Sequence, residues 1–262
     1  MEKYKNEEYL KSRIMEDSGH LFVYGYKNDH RTKFLKSLES EYSVKPDSNQ
    51  PAAIYLDSFA VPKIDFDSND KDKRLIQTVS KEYLSFSIAL RILEKAIDAD
   101  DTIIDSKLFE LVKLMNTCRN AGSPEIKTAN QLLQEIKSSR DFYYENYIKY
   151  IKGQIEIIPI DDVSIPFLEL NMFVEHYKDA INLDSYLGII LDKKEDQAVS
   201  STRAVNNLLS SRINKDLSVK VAMEPDAWET YTDERGQIVE NPHDYSIIEL
   251  DDSYREHMIR LM

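Results

Sequence analysis

Short apolar runs, each fenced by polar residues, set the frame of this 262-residue chain. His20-Leu-Phe-Val-Tyr24, Ala52-Ala-Ile-Tyr-Leu-Asp57, Tyr186-Leu-Gly-Ile-Ile-Leu191, Leu217–Met223 and Ser246-Ile-Ile-Glu-Leu250 read as strands. The wholly apolar ones fit strands covered on both faces. Between Leu191 and Leu217 a period near 3.6 predicts a helix over Val199–Arg212. Strand, helix, strand is a βαβ unit, and therefore a parallel sheet. Helical spacing also marks residues 2–17, Thr32–Leu38, Leu75–Ile97, Ser106–Arg119, Thr128–Ile151 and Pro166–Ile181, with a closing helix over Tyr254–Met262. Gln154–Ile160, apolar and β-branched, predicts one more strand.

Two places in this frame carry chemistry. The first is the loop after the first strand. Strand, glycine, loop, helix is the architecture of a phosphate-binding loop, whose pattern is GxxxxGK[ST]. Its glycines let backbone amides converge on phosphate, and its lysine reaches the outer phosphates. The aligned octet here is Gly25-Tyr-Lys-Asn-Asp-His30-Arg31-Thr32. Gly25 and Thr32 match. His30 stands for the second glycine and brings a Cβ into a crowded backbone. Arg31 keeps the lysine's charge but replaces a compact ammonium with a planar fork. The second place is Asp192, at the carboxyl end of an apolar strand, the edge where open α/β sheets place their ligands. In phosphate-loop enzymes such an acid serves the magnesium ion. As a turn or capping residue it would carry no chemistry at all.

Composition narrows the field. A single cysteine, Cys118, excludes an internal disulfide and a thiolate metal cluster. No run approaches the roughly 20 apolar residues of a membrane span, and the charged amino terminus lacks a signal-peptide core, so a cytoplasmic protein is expected. The net charge of −13 argues against gripping a nucleic acid duplex unaided, leaving DNA to be reached through a basic partner. Scattered histidines and the pair His243-Asp244 match no metal-ligand spacing, and the acidic set Asp57, Asp65, Asp67, Asp70 and Asp72, which could hold a cation, reads by default as a solvated loop.

HLFVYG, TKFLKSL, AAIYLD, LGIILD, AVNNLLSSR, LSVKVAMEPDAW and HDYSIIELD together resemble the core of bacterial P-loop ATPases related to the origin-recognition AAA class. The likeness is spread over most of the chain, apart from the helices at 70–150. It implies an α/β fold: a three-layer, mainly parallel, P-loop NTPase-like sheet forming one domain over 1–262, with residues 70–151 as a helical insertion. ATP and magnesium are the cofactors it implies. By resemblance Gly25, Arg31 and Thr32 take the phosphate-loop positions and Asp192 the magnesium side. The catalytic glutamate that often follows that acid is Lys193 here, and Glu195 stands two residues beyond it. With both motifs altered, ATP and magnesium are expected to bind weakly or not at all, and no catalytic residue is assigned.

The reading that follows is a degenerate, ATPase-like subunit, serving as scaffold or regulator in a multiprotein complex of antiviral defence or DNA processing. Two alternatives stay open: an active ATPase whose unusual loop is completed by a partner, and a metal-dependent nuclease. A protein partner or a second copy is expected at the helical insertion, where Tyr143, Tyr144, Tyr147 and Tyr150 crowd one helix. Tyr143, Tyr147 and Tyr150 share a face while Tyr144 lies about 100° away, so at least one should reach solvent.

Overall fold

The computed structural model describes residues 7–25, 28–45, 47–57, 59–61, 70–99, 112–113, 116, 125–159, 167–194, 199–210, 216–224, 228, 230–233, 236–239 and 245–251. In chain order the elements are α1 (Glu7–Glu16), β1 (Leu21–Tyr24), α2 (Asn28–Glu41), β2 (Ala52–Leu56), α3 (Asp70–Ala99) and α4 (Ala129–Ile151). There follow α5 (Phe167–Ile181), β3 (Leu187–Asp192), α6 (Val199–Ser210), β4 (Leu217–Met223) and β5 (Ser246–Glu249). The five strands form one sheet in the order β2-β3-β4-β1-β5, and every pairing is parallel.

The period-2 alternation of the strands divides the core into two layers. Phe22, Ile54, Ile189, Leu191, Val219 and Val221 pack against α3, α4, α5 and α6. Val23, Tyr55, Ile190 and Ala222 face the other way, onto α1 and α2. β1 to β4 are buried along their whole length, which is why they read as unbroken apolar runs. α3 contributes Leu84, Ile88, Ile92 and Leu93 to the larger layer, so this long helix covers a face of the sheet. α4 starts at a capping box. The Thr128 hydroxyl accepts from the Gln131 amide, and the Gln131 side chain accepts from the Thr128 amide.

β2 lies at one margin of the sheet, and its open side is covered by side chains. The Tyr55 amide donates to Glu39 at 3.0 Å, and Arg91 donates to the Tyr55 carbonyl at 3.3 Å. The Ala53 amide donates to the Tyr42 carbonyl at 2.7 Å. Each contact occupies a backbone group that could otherwise pair with another strand.

At the opposite end of the strands from Asp192, buried polar side chains hold the turn between α1 and β1. Lys220 donates to the carbonyls of Asp17 and Gly19 and lies 5.4 Å from the centroid of the Tyr186 ring. The Tyr186 hydroxyl donates to the Met15 carbonyl at 2.5 Å, and Ser218 donates to the Gly19 carbonyl. Burial draws the Lys220 amine down to about 7, against an opposing pull from Asp17.

The sequence expectation differs from the structure in two places. α2 begins at Asn28, so His30 and Arg31 belong to its first turns rather than to a loop ending at Arg31. Residues 154–159 form no strand: Gly153 turns the chain at φ 66° just past α4, and Ile157 is 69% exposed. β-branched composition does not by itself make a strand, because strand preference follows the packing a segment finds. The expected helices at 106–119, of which Val112, Lys113 and Asn116 are described, and at 254–262 lie mostly or wholly outside the described residues. So do Glu195, His243, Asp244 and the acidic positions 65 and 67.

Candidate functional site

The candidate site lies at the carboxyl ends of β1, β3 and β4, and strand alternation builds it. Asp192 has the parity of Ile190, so its carboxylate points to the α2 side of the sheet, toward the start of that helix. Arg31 and Thr32 reach it from the opening turns of α2. Tyr55 reaches it from β2, the neighbour of β3. The Thr32 hydroxyl donates to Asp192 Oδ2 at 2.7 Å, and the Tyr55 hydroxyl donates to the same oxygen at 3.0 Å. Arg31 Nε donates to Asp192 Oδ1 at 2.8 Å, and Arg31 Nη2 donates to the Lys193 carbonyl at 3.1 Å. Arg31 Nη1 stands 3.8 Å from Glu224 Oε1, just past the end of β4.

The ion pair at the centre of this cluster is buried. Arg31 is 1% exposed and Asp192 is 0% exposed. A carboxylate in such a place needs a cation and hydrogen-bond donors, and here the chain supplies both. Burial, followed by the Asp192 charge, raises the Tyr55 phenol above its ordinary range, so it stays a protonated donor at any physiological pH. Lys193, directly after Asp192, is itself buried and donates to the Lys194 carbonyl at 2.9 Å.

Gly25 begins the phosphate-loop stretch at φ 120°, a region that side chains rarely adopt. A Cβ there would lie 2.7 Å from Asp251 Oδ1 and 3.0 Å from the Asp251 amide. An acid from the end of β5 therefore lies against the start of the loop. Asp29 and His30 are exposed on α2, and His30 stands 3.5 Å from Glu7 of α1.

A five-stranded all-parallel sheet, flanked by helices and carrying a helix-borne threonine against a strand-end acid, is an α/β fold of the P-loop NTPase kind. The chain belongs to the ORC-CDC6-like family, which matches residues 32–260, and is thereby related to AAA-type ATPases. The match opens at Thr32, so Gly25 to Arg31 precede it. A comparison with curated proteins finds no match.

Proteins of this family typically use ATP with magnesium. The residues present do not fit a magnesium ion as they are arranged. Thr32 and Asp192 are the right pair of oxygen donors for it. Both carboxylate oxygens are already engaged, however, and a guanidinium lies directly against one of them. Among the described residues, no group of three or more His, Cys, Asp or Glu side chains converges, and no helix is long and apolar enough to cross a membrane.

The structure thus brings Arg31, Thr32 and Asp192 together and keeps Gly25 at the loop's start. The tyrosines of α4 fall on different sides. Tyr143 and Tyr147 are buried in the larger layer, with Tyr143 stacked 5.9 Å from Phe86. Tyr150 is half-buried, and Tyr144 is 36% exposed beside Tyr83. Sequence reasoning missed Tyr55 and Glu224. Glu224 was legible as an acid directly after the apolar run 217–223. Tyr55 stood out only as the one polar-tipped residue in an aliphatic strand, and its link to Asp192 depends on a register that the sequence does not display.

Proposed function

We propose that this chain is a nucleotide-independent member of its family, acting as scaffold or regulator in a multiprotein complex of DNA processing or antiviral defence. The observation that carries the reading is the buried Arg31–Asp192 pair. In a working site both side chains would serve the nucleotide and its metal, and here they serve each other. The surrounding charges support the same conclusion. Asp192 and Glu224 face Arg31, and Asp251 lies against Gly25. Each of these carboxylates would repel a polyanionic triphosphate. Work is then done through protein contacts, with another protein or a second copy. Tyr144 is the most exposed of the four α4 tyrosines, and exposed tyrosine suits an interface. Duplex DNA would be reached through such a partner, given the net charge of −13.

One observation favours the competing reading of an active ATPase. The 2.7 Å contact between Thr32 and Asp192 joins the two residue types that hold magnesium in working P-loop sites. Steady-state phosphate release separates the two readings. The proposal expects release at the level of a blank, unchanged in an Asp192→Ala protein. Release above the blank that Asp192→Ala abolishes would establish the ATPase and overturn the scaffold reading.

A further inference from the structure

We propose that Arg31 is the permanent cation of this edge, seated among oxygens suited to a divalent ion, so that no metal is needed to hold the site closed. The inference deepens the nucleotide-independent reading and rests on it for the absence of a triphosphate competing for Arg31.

The guanidinium faces oxygen on three sides: Asp192 Oδ1 at 2.8 Å, the Lys193 carbonyl at 3.1 Å and Glu224 Oε1 at 3.8 Å. The Thr32 hydroxyl is bonded to the same Asp192 carboxylate. Carboxylate, carbonyl and hydroxyl oxygens are the hard donors that magnesium and calcium select. These oxygens come from the ends of the adjacent strands β3 and β4 and from the first turns of α2, so backbone pairing fixes their spacing. A buried Asp192 requires a positive charge at all times. A metal would supply that charge only while bound. An arginine, protonated at every relevant pH, supplies it as part of the chain. Its planar fork also explains why a lysine would not serve equally well. Nε and Nη2 donate in two fixed directions at once, to a side chain and to a main-chain carbonyl, whereas an ammonium is a point charge.

Two consequences separate this inference from the bland reading of a buried ion pair. The native protein should be indifferent to divalent ions, and removing the guanidinium should uncover a cation site. The test compares wild type, Glu224→Gln, Arg31→Ala and Arg31→Ala combined with Glu224→Gln. Binding of Mn2+ is followed by loss of the free-ion paramagnetic signal, and melting temperature is read with Mg2+ and with a chelator. Wild type should hold no Mn2+ and melt at the same temperature in both conditions. Arg31→Ala should take up Mn2+ and melt higher with metal than with chelator. Adding Glu224→Gln should weaken the uptake.

A folded Arg31→Ala protein that ignores Mn2+ would overturn the inference. So would a wild type whose melting temperature rises with Mg2+ and loses that rise on Glu224→Gln, and this arm decides alone if Arg31→Ala does not fold. The assays contain no nucleotide, so the two readings fail separately. Metal-indifferent wild type that still hydrolyses ATP would sink the scaffold function only. Metal-binding wild type without hydrolysis would sink this inference only.

Discussion

Arg31 and Asp192 are coupled by burial, and a double-mutant cycle measures how strongly. Arg31→Met keeps most of the stem and removes the charge. It leaves a fully buried carboxylate with two hydroxyl donors, Thr32 and Tyr55, and no counter-ion. Breaking a buried pair from one side costs about 3–5 kcal/mol, and the surviving donors put the cost here near about 3 kcal/mol. Asp192→Asn strands the guanidinium with the Lys193 carbonyl and a carboxylate 3.8 Å away, and should cost a similar amount, about 3 kcal/mol. In the double variant both members of the buried pair are neutral, and only the partly exposed Glu224 loses a charged neighbour. The introduced amide can still accept from Thr32 and Tyr55. The double variant should therefore cost about as much as one single change, giving a coupling energy of about 2–3 kcal/mol. Total stabilities of about 5–15 kcal/mol make each single variant conspicuous yet foldable at low temperature. Trp228 is the chain's one tryptophan, buried with its ring 5.0 Å from Phe22, so its fluorescence follows urea unfolding. Costs that add to within about 0.5 kcal/mol would refute the coupling.

Three further outcomes follow from particular residues. Lys220 has its amine drawn to about 7 in the fold, against 10.5 for an ordinary lysine, so between those values the unfolded chain holds the extra proton. Stability should then rise from pH 7 to pH 9 with a slope of up to about 1.4 kcal/mol per unit, and Lys220→Met should flatten it; equal slopes in urea midpoints would refute this. Gly25→Ala forces a Cβ against Asp251 at φ 120°, whereas Gly153→Ala adds one at φ 66° with nothing within 4 Å. The first should cost about 2–3 kcal/mol and the second about 1 kcal/mol, and a reversed order in urea midpoints would contradict the geometry. Tyr147→Ala should cost about 3–5 kcal/mol, because that ring is buried in the core, while the exposed Tyr144→Ala should cost well under half as much. Equal losses in urea midpoints would contradict the placement of the two rings.

The strands were legible because four of the five are buried along their length, and continuous burial leaves an unbroken apolar run. Asp192 was legible for the related reason that a lone acid ends such a run. What the sequence hid depends on register and on tertiary placement. Tyr55 meets Asp192 because β2 pairs with β3, with Tyr55 opposite Ile190, and no local pattern encodes that pairing. Gln154–Ile160 has strand composition, but the helix before it ends in a left-handed glycine and leaves Ile157 in solvent. Arg31 was visible as a departure from the phosphate-loop pattern. Its destination was not, since that requires α2 to start at Asn28 and aim the side chain across the end of β4. Lys220 was in plain view within an apolar strand, and its role at the α1–β1 turn emerges only from the carbonyls it meets.

The guanidinium of Arg31 occupies the acid a nucleotide site would need. Isothermal titration of the purified chain with ATP, in the presence and absence of magnesium, tests it most directly. No saturable heat is expected in either condition. Saturable, magnesium-dependent binding of ATP that is lost in Asp192→Ala would contradict it.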